Sequence, residues 1–333
     1  MTLYAKLKMT CAAALFATSG FASGAIAADL VLPSEVAATH WKTGYMNEFA
    51  EKVAERTNDE LEVKVFPAGM LYSEQDALAA LGTGAVHMVW PVTVRLETIA
   101  PATGFLTLPF ATNDEMTANT CFLDGITELL SSQVEPANFK VLGLLRASDQ
   151  LFIFKDREVD KMEDLENTKV RVTGGRILLN MMESLGISGV SMPASEMGTA
   201  LSQGAIDGII TSPAGWSEMI GMTGNNAFRV PGFSMTIYAI VVDKPWFEGL
   251  PEEQQSAIST TVDEIVERQW VEARETDDQI VKKMQEEGAN VVFADDAEKA
   301  RWIDRASGDN DSFREQYPDA MQAFDDIKVK CGV

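Results

Sequence analysis

The stretch from Lys169 to Pro213 constrains the fold of this chain more than any other segment. A β-like run at 169–172 ends at a pair of glycines, and a helical pattern follows, whose apolar residues recur at three- and four-residue spacing. A second strand is predicted at Val190 to Met192, a second helix ends at Gly204, and a third strand follows that glycine. This order of strand, helix, strand, helix, strand is typical of an α/β lobe with a largely parallel sheet.

Arg171 lies inside the first of these strands, with a valine on each side. A permanent cation on a mostly apolar strand is unfavourable unless an anion meets it. Its planar guanidinium suits a carboxylate that is held by two hydrogen bonds. The sequence therefore predicts that Arg171 binds an anionic ligand, and a structural ion pair is the alternative.

Three short motifs of this segment resemble the substrate-binding subunit of the tripartite ATP-independent periplasmic (TRAP) transporters, of the DctP type. They are Lys-Val-Arg-Val at 169–172, Pro-Ala-Ser-Glu at 193–196 and Ile-Asp-Gly at 206–208. A Phe-Pro turn at 66–67, Leu-Pro-Phe at 108–110 and a very long C-terminal helix extend the likeness over most of the chain.

The resemblance implies an α/β periplasmic binding protein of the type II-like, two-lobed kind, in which Arg171 clamps the carboxylate of an organic acid. It also implies a monomer that needs no cofactor and docks onto the small and large membrane subunits of an ion-gradient-driven transporter. An extracytoplasmic sensor subunit with the same fold is the alternative function.

The lobes are predicted to divide the mature chain between them. We assign 29–150 plus 238–277 to lobe I and 151–237 plus 278–333 to lobe II. Two extended crossings, at 149–154 and 234–242, form a hinge about which rigid lobes can close. A helix from about Glu252 to Glu287 is on the order of 50 Å long, and in the family it spans both lobes.

Residues 1–28 are expected to form a signal peptide that is cleaved near Ala27 or Ala28, which places the protein in the periplasm. Lys6 and Lys8 precede an apolar run, and small residues follow it; an uncleaved anchor is the alternative. Cleavage removes two lysines and no acid, so the formal charge changes from −23 to −25. Such a charge argues against binding to nucleic acid or to anionic lipid.

The two cysteines of the mature chain, Cys121 and Cys331, can pair in an oxidising compartment or remain free thiols. The chain has only two histidines, His40 and His87, and neither heads a metal motif. Gly-Xaa-Ser-Xaa-Gly and the P-loop are absent. We therefore predict no enzyme activity, no metal site and no cofactor, with an irregular hydrolase site as the remaining alternative.

Polar candidates for the ligand site follow strand ends that face the cleft. Gln150 replaces a second arginine of some relatives, which suggests a ligand with a single carboxylate. Thr211 and Ser212 stand where many relatives have an asparagine that touches the carboxylate. Ser212 either takes over that hydrogen bond or caps the helix that begins at Pro213.

Aromatic candidates lie at three strand-to-helix junctions. Trp90 precedes Thr93 at the end of a first-lobe strand, Trp41 follows His40 at the start of the first helix, and Trp216 follows the Ser212 turn. If the tryptophans line an apolar floor, an aromatic or bulky monocarboxylate is favoured. If they pack in the core, they say nothing about the ligand.

Overall fold

The computed structural model describes residues 28–333, so the predicted signal peptide lies, except for its last residue, outside the described residues. The strands are β1 (Ala28–Pro33), β2 (Leu61–Phe66), β3 (Met88–Val89), β4 (Phe139–Asp149), β5 (Leu151–Phe154), β6 (Lys169–Val172), β7 (Ser188–Ser191), β8 (Gly208–Thr211), β9 (Asn226–Arg229), β10 (Met235–Asp243) and β11 (Asn290–Phe293). The α-helices are α1 (Trp41–Arg56), α2 (Glu74–Ala80), α3 (Asp114–Thr117), α4 (Thr120–Val134), α5 (Arg176–Ser184), α6 (Ala194–Ser202), α7 (Pro213–Gly215), α8 (Lys244–Gly249), α9 (Glu252–Glu286), α10 (Asp296–Gln316) and α11 (Pro318–Cys331).

The first lobe is built on the parallel pair β1–β2 and the antiparallel sheet β3-β10-β4. Phe49 and Val53 of α1 pack in one core with the apolar residues of β1. This helix begins at Trp41, because Nδ1 of His40 accepts a hydrogen bond from the backbone N–H of Lys42 at 3.1 Å and caps it. Strand β3, which pairs with β10, has only the two residues Met88–Val89.

The second lobe is built on a six-stranded sheet of order β11-β9-β5-β8-β6-β7. β6 pairs in parallel with β7 and β8, whereas β5 is antiparallel to both of its neighbours. The β6-α5-β7-α6-β8 order confirms the predicted rhythm of 169–213. Helix α5 buries Ile177, Leu178, Met181 and Met182, which are the apolar positions of its three- and four-residue pattern.

Two chain crossings and one long helix connect the lobes. β4 continues through Gln150 into β5, and the chain returns to the first lobe in β10, which pairs with β4 along its whole length. Helix α9 has 35 residues and confirms the predicted long helix. Its Ile258 and Val262 lie in a first-lobe core, while Met284 lies in a second-lobe core. The helix therefore spans both lobes.

The C-terminal helix α11 packs on α4 of the first lobe, and a disulfide joins Cys121 to Cys331 with a Cα–Cα distance of 5.6 Å. The pairing that the sequence left open is thus formed. The predicted residue bounds of the two lobes stay predictions. Within 28–333, no helix is both long and apolar enough to span a bilayer.

Candidate functional site

A partly open cavity lies between the lobes, where strand ends of both sheets meet the crossing strands. Such strand ends are the usual ligand positions of open α/β sheets. Its charged and hydrogen-bonding side chains are Glu35, His40, Glu74, Gln150, Arg171, Thr173, Thr211, Ser212, Thr236 and Tyr238. The sequence predicted five of these: His40, Gln150, Arg171, Thr211 and Ser212.

Arg171 enters the cavity from the middle of β6 and is only 2% exposed. Its Nε donates to the carbonyl oxygen of Met192 at 2.9 Å, and Nη1 donates to that of Ile210 at 3.5 Å. Nη2 has no hydrogen-bond partner, and no carboxylate of residues 28–333 forms an ion pair with this guanidinium. Burial lowers the pKa of Arg171 to about 10, and nearby Glu35 opposes this shift. The neighbouring strands therefore fix the side chain without neutralising it.

The opposite wall is a buried network of charged first-lobe groups. Nζ of Lys42 donates to Oε1 of Glu74 at 2.7 Å and lies 4.1 Å from the centre of the Tyr238 ring. Glu35 accepts from the backbone N–H of Glu74 at 2.9 Å and, across the cleft, from that of Ala194 at 3.0 Å. Burial raises the pKa of Glu74, and the charge of Lys42 opposes this shift. In this wall Lys42 therefore neutralises Glu74, while Glu35 is held by backbone N–H groups of both lobes.

His40 presents a neutral imidazole to the cavity. Burial, helped by the charge of Lys42, lowers its pKa to about 3. Because Nδ1 accepts from the backbone of Lys42, the proton of the neutral ring is on Nε2. His40 can therefore offer a donor to a ligand but not a positive charge.

Gln150 lies where the main cavity meets a smaller one that Thr93 lines. Its backbone N–H donates to the carbonyl of Ser234 at 2.9 Å, and its side-chain oxygen accepts from Oγ of the same residue at 3.0 Å. The amide nitrogen of Gln150 is then the free hydrogen-bonding group. Thr93 reaches the small cavity only, so the structure places it beside the main site.

Ser212 and Thr211 line the cavity at the end of β8. Oγ of Ser212 accepts from the backbone N–H of Gly215 at 3.0 Å, which is the helix cap that the sequence gave as the alternative role. Oγ1 of Thr211 would lie 2.4 Å from a Cβ at position 215. A larger residue at 215 would therefore collide with the hydroxyl group of Thr211.

The three tryptophans do not line the main cavity. Trp90 is 1% exposed and packs edge-to-face on Phe49. Trp216 is fully buried, and its Nε1 donates to the carbonyl of Gly224 at 2.7 Å. Trp41 is half-buried and packs on Tyr238 beside a separate surface pocket. None of the three rings therefore forms part of the lining of the main cavity.

Sequence reasoning missed Glu35, Glu74, Tyr238 and the buried Arg95. Glu35 follows β1 at its carboxyl end, which is a signal that could have been used. Arg95 is 4% exposed, and its Nε has no hydrogen-bond partner in the described part of the chain. Its charge also lowers the pKa of Arg171. No local pattern distinguishes it from a surface arginine.

The profile of the DctP family, described as bacterial extracellular solute-binding protein, family 7, matches residues 33–316. A solute-binding protein of Chromohalobacter salexigens is 24% identical over 289 residues, which cover 85% of this chain and 84% of that protein.

Solved structures share the fold. A TRAP periplasmic solute-binding protein of Anaerococcus prevotii with bound glucuronate has a TM-score of 0.84 at 22% identity, covering 91% of this chain and 97% of that one. One of Shewanella oneidensis with bound succinate has a TM-score of 0.83 at 22% identity, covering 90% of this chain and 99% of that one. The two-lobed α/β fold predicted from the sequence is thereby confirmed.

Proposed function

The chain belongs to the DctP family of bacterial extracellular solute-binding proteins, and on that premise we propose that it captures one small organic acid between its lobes for uptake by a TRAP transporter. The observation that carries this proposal is the buried guanidinium of Arg171, whose Nη2 is unsatisfied inside the interlobe cavity. A buried cation of this kind is stabilised when a carboxylate pairs with it and accepts its remaining hydrogen bonds.

The charges around the cavity support a ligand with one negative charge. The side chains that line it, or that act electrostatically on its Arg171 and Glu74, comprise three cations, Lys42, Arg95 and Arg171, and two carboxylates, Glu35 and Glu74. Glu218 acts on Tyr238 but is exposed, so water and salt screen its charge. One monoanion balances this set. A dicarboxylate would leave an uncompensated negative charge in a buried site, which is costly.

The polar lining supports a hydroxylated acid. Thr173, Thr211, Ser212, Thr236 and Tyr238 surround the cavity with hydroxyl groups that can both donate and accept. We therefore favour a monocarboxylic sugar acid, such as the glucuronate bound by the relative of A. prevotii. The aromatic or bulky acid expected from the tryptophans has less support, because none of those rings faces the cavity.

The mechanism that we propose has no covalent step. The carboxylate of the acid pairs with Arg171. Approach of the first lobe then brings Glu35, His40 and Tyr238 over the hydroxyl groups of the ligand. Closure excludes water and strengthens the charge-assisted hydrogen bonds. Ligand contacts that exist only in the closed form shift the population toward it. No step consumes the ligand, so the protein acts as a carrier and not as an enzyme.

Delivery follows from the family. We propose that the signal peptide directs the protein to the periplasm, where the loaded form docks onto the small and large membrane subunits. An ion gradient then drives uptake. Loss of uptake on deletion of the gene, with no loss of signalling, separates this role from that of a sensor subunit.

Calorimetric titration of the purified protein with D-glucuronate, galactonate, succinate and phenylacetate tests the proposal. We expect the sugar acids to bind most tightly, and a ligand at 100 times its dissociation constant to stabilise the fold by about 2.7 kcal/mol. Arg171→Ala should abolish binding, while Arg305→Ala, at an exposed second-lobe arginine, should leave it unchanged. Full binding by Arg171→Ala would contradict the assigned site.

A further inference from the structure

Helix α5 begins without a capping side chain of its own. Its N-cap is Gly175, with φ +84°, and no local side chain accepts from the first turn. The backbone N–H of Arg176 instead donates to Oε2 of Glu97 at 2.8 Å. Glu97 belongs to the 3₁₀ turn Thr93–Thr98 of the first lobe, so this cap crosses the cleft.

Helix α6 repeats the arrangement. Its N-cap is Pro193, which has no capping side chain, and the backbone N–H of Ala194 donates to Oε1 of Glu35 at 3.0 Å. Glu35 lies in the first lobe and at the same time accepts from the first residue of α2, Glu74. One carboxylate thus caps one helix in each lobe.

Most other described helices carry a cap of their own. The capping side chains belong to His40, Ser73, Asn113, Asn119, Ser212, Asp243 and Asp295. A carboxylate at a helix N-terminus satisfies unpaired N–H groups and interacts favourably with the helix dipole. Helices α5 and α6 of the second lobe obtain this stabilisation only where the first lobe touches them.

Close packing surrounds the Glu97 contact. A Cβ at Gly175 would lie 2.1 Å from Cγ2 of Val94 and 3.0 Å from Oε1 of Glu97. On the same helix, Ile177 and Leu178 pack into the two first-lobe cores. Glu97 is 8% exposed, and its Oε1 has no hydrogen-bond partner. The start of α5 is therefore shaped to meet the first lobe.

We propose that Glu97 and Glu35, the interlobe caps, are positioning residues that hold the two lobes closed by capping α5 and α6 across the cleft. This inference rests on the proposed function, because it concerns the release of the bound acid. It assigns the release rate to the interlobe caps and not to Arg171, which binds the carboxylate. Opening the cleft breaks both caps and exposes the backbone N–H groups of Arg176 and Ala194 to water. Glu97 does not line the cavity and acts only through closure.

Ligand release kinetics and small-angle X-ray scattering on Glu97→Ala, Glu97→Gln and wild type test the interlobe caps. Loss of one cap is expected to raise the dissociation rate of D-glucuronate about five-fold, with little change in the association rate. The radius of gyration of ligand-free Glu97→Ala should exceed that of wild type. Glu97→Gln keeps an acceptor oxygen without the charge and should fall between the two.

Glu196→Gln is the matched control, because this exposed acid lies in the first turn of α6 but has no contact across the cleft. It should match wild type in both measurements. Equal dissociation rates and equal radii for Glu97→Ala and wild type would overturn the inference, even if Glu97→Ala has a lower unfolding temperature. If wild type binds no organic acid, the proposed function fails, while scattering without ligand still decides whether Glu97 holds the lobes together.

Discussion

Replacing Arg171 by methionine should lower the affinity for the ligand, whereas the stability of the ligand-free protein should stay equal or rise. The guanidinium is buried without an ion pair, and burial lowers its pKa from the usual value of an arginine to about 10. Since one pKa unit corresponds to about 1.4 kcal/mol, keeping this cation charged in the cavity without an anion costs roughly 3 kcal/mol. Solvation in an open form makes this value an upper bound.

The variant Arg171→Met removes that cost and keeps most of the apolar volume. We expect its free energy of unfolding without ligand to equal that of wild type or exceed it by up to about 3 kcal/mol. Its affinity for D-glucuronate should fall by about 2–5 kcal/mol, because a buried charge pair loses one partner. Denaturant unfolding without ligand and calorimetric titration measure the two effects.

Arg146 supplies a matched control. It is also 2% exposed, but its guanidinium pairs with Asp114 at 2.7 Å and Asp277 at 2.6 Å. Arg146→Met leaves the buried Asp277 without its ion-pair partner and Asp114 with Arg274 alone, at 3.6 Å, and should destabilise the fold by about 3–5 kcal/mol. If Arg171→Met destabilises the ligand-free protein as much as Arg146→Met does, then Arg171 is a structural group and the reasoning about the cavity is refuted.

Three further changes have expected outcomes. Gln150→Arg restores a second cation and should raise the affinity for succinate relative to D-glucuronate at least about ten-fold by titration; an unchanged ratio would count against the charge argument. Replacing Cys121 and Cys331 together by serine should lower the free energy of unfolding by about 2–5 kcal/mol in denaturant, and no difference would mean that the bridge adds nothing. The folded pKa of His40 lies near 3, below its unfolded value of 6.5, so its contribution to stability is complete above pH 6.5 and falls by about 1.4 kcal/mol per pH unit below it. Unfolding at pH 7 and 5.5 should show a smaller difference in His40→Asn than in wild type, and an equal loss in both would refute this assignment.

The sequence predicted the parts of the fold that depend on local patterns. The β-α-β-α-β segment is confirmed. Its signals, the three- and four-residue spacing of apolar residues and the paired glycines, depend only on residues that are close together in the sequence. The position of Arg171 beside the cavity follows from the same segment, since its strand end faces the cleft.

Groups that meet through topology were beyond such reasoning. Glu35, Glu74 and Tyr238 come from three distant segments and meet only when β1, α2 and β10 are assembled. The tryptophans illustrate the opposite error. A position at a strand-to-helix junction does not determine the direction of a ring, and Trp90 and Trp216 turn toward apolar neighbours.

The tail of the chain fixes how the lobes can move. Helix α10 packs Trp302 into a second-lobe core, and α11 is joined covalently to α4 through Cys331. The joint between these helices, at Tyr317 and Pro318, is therefore a fourth tether from one half of the molecule to the other, in addition to the two crossing strands and helix α9. Bodies tethered at four separate places have little freedom to twist or slide, so opening reduces to rotation about a single axis, and a captured molecule can leave only along the path that this axis permits.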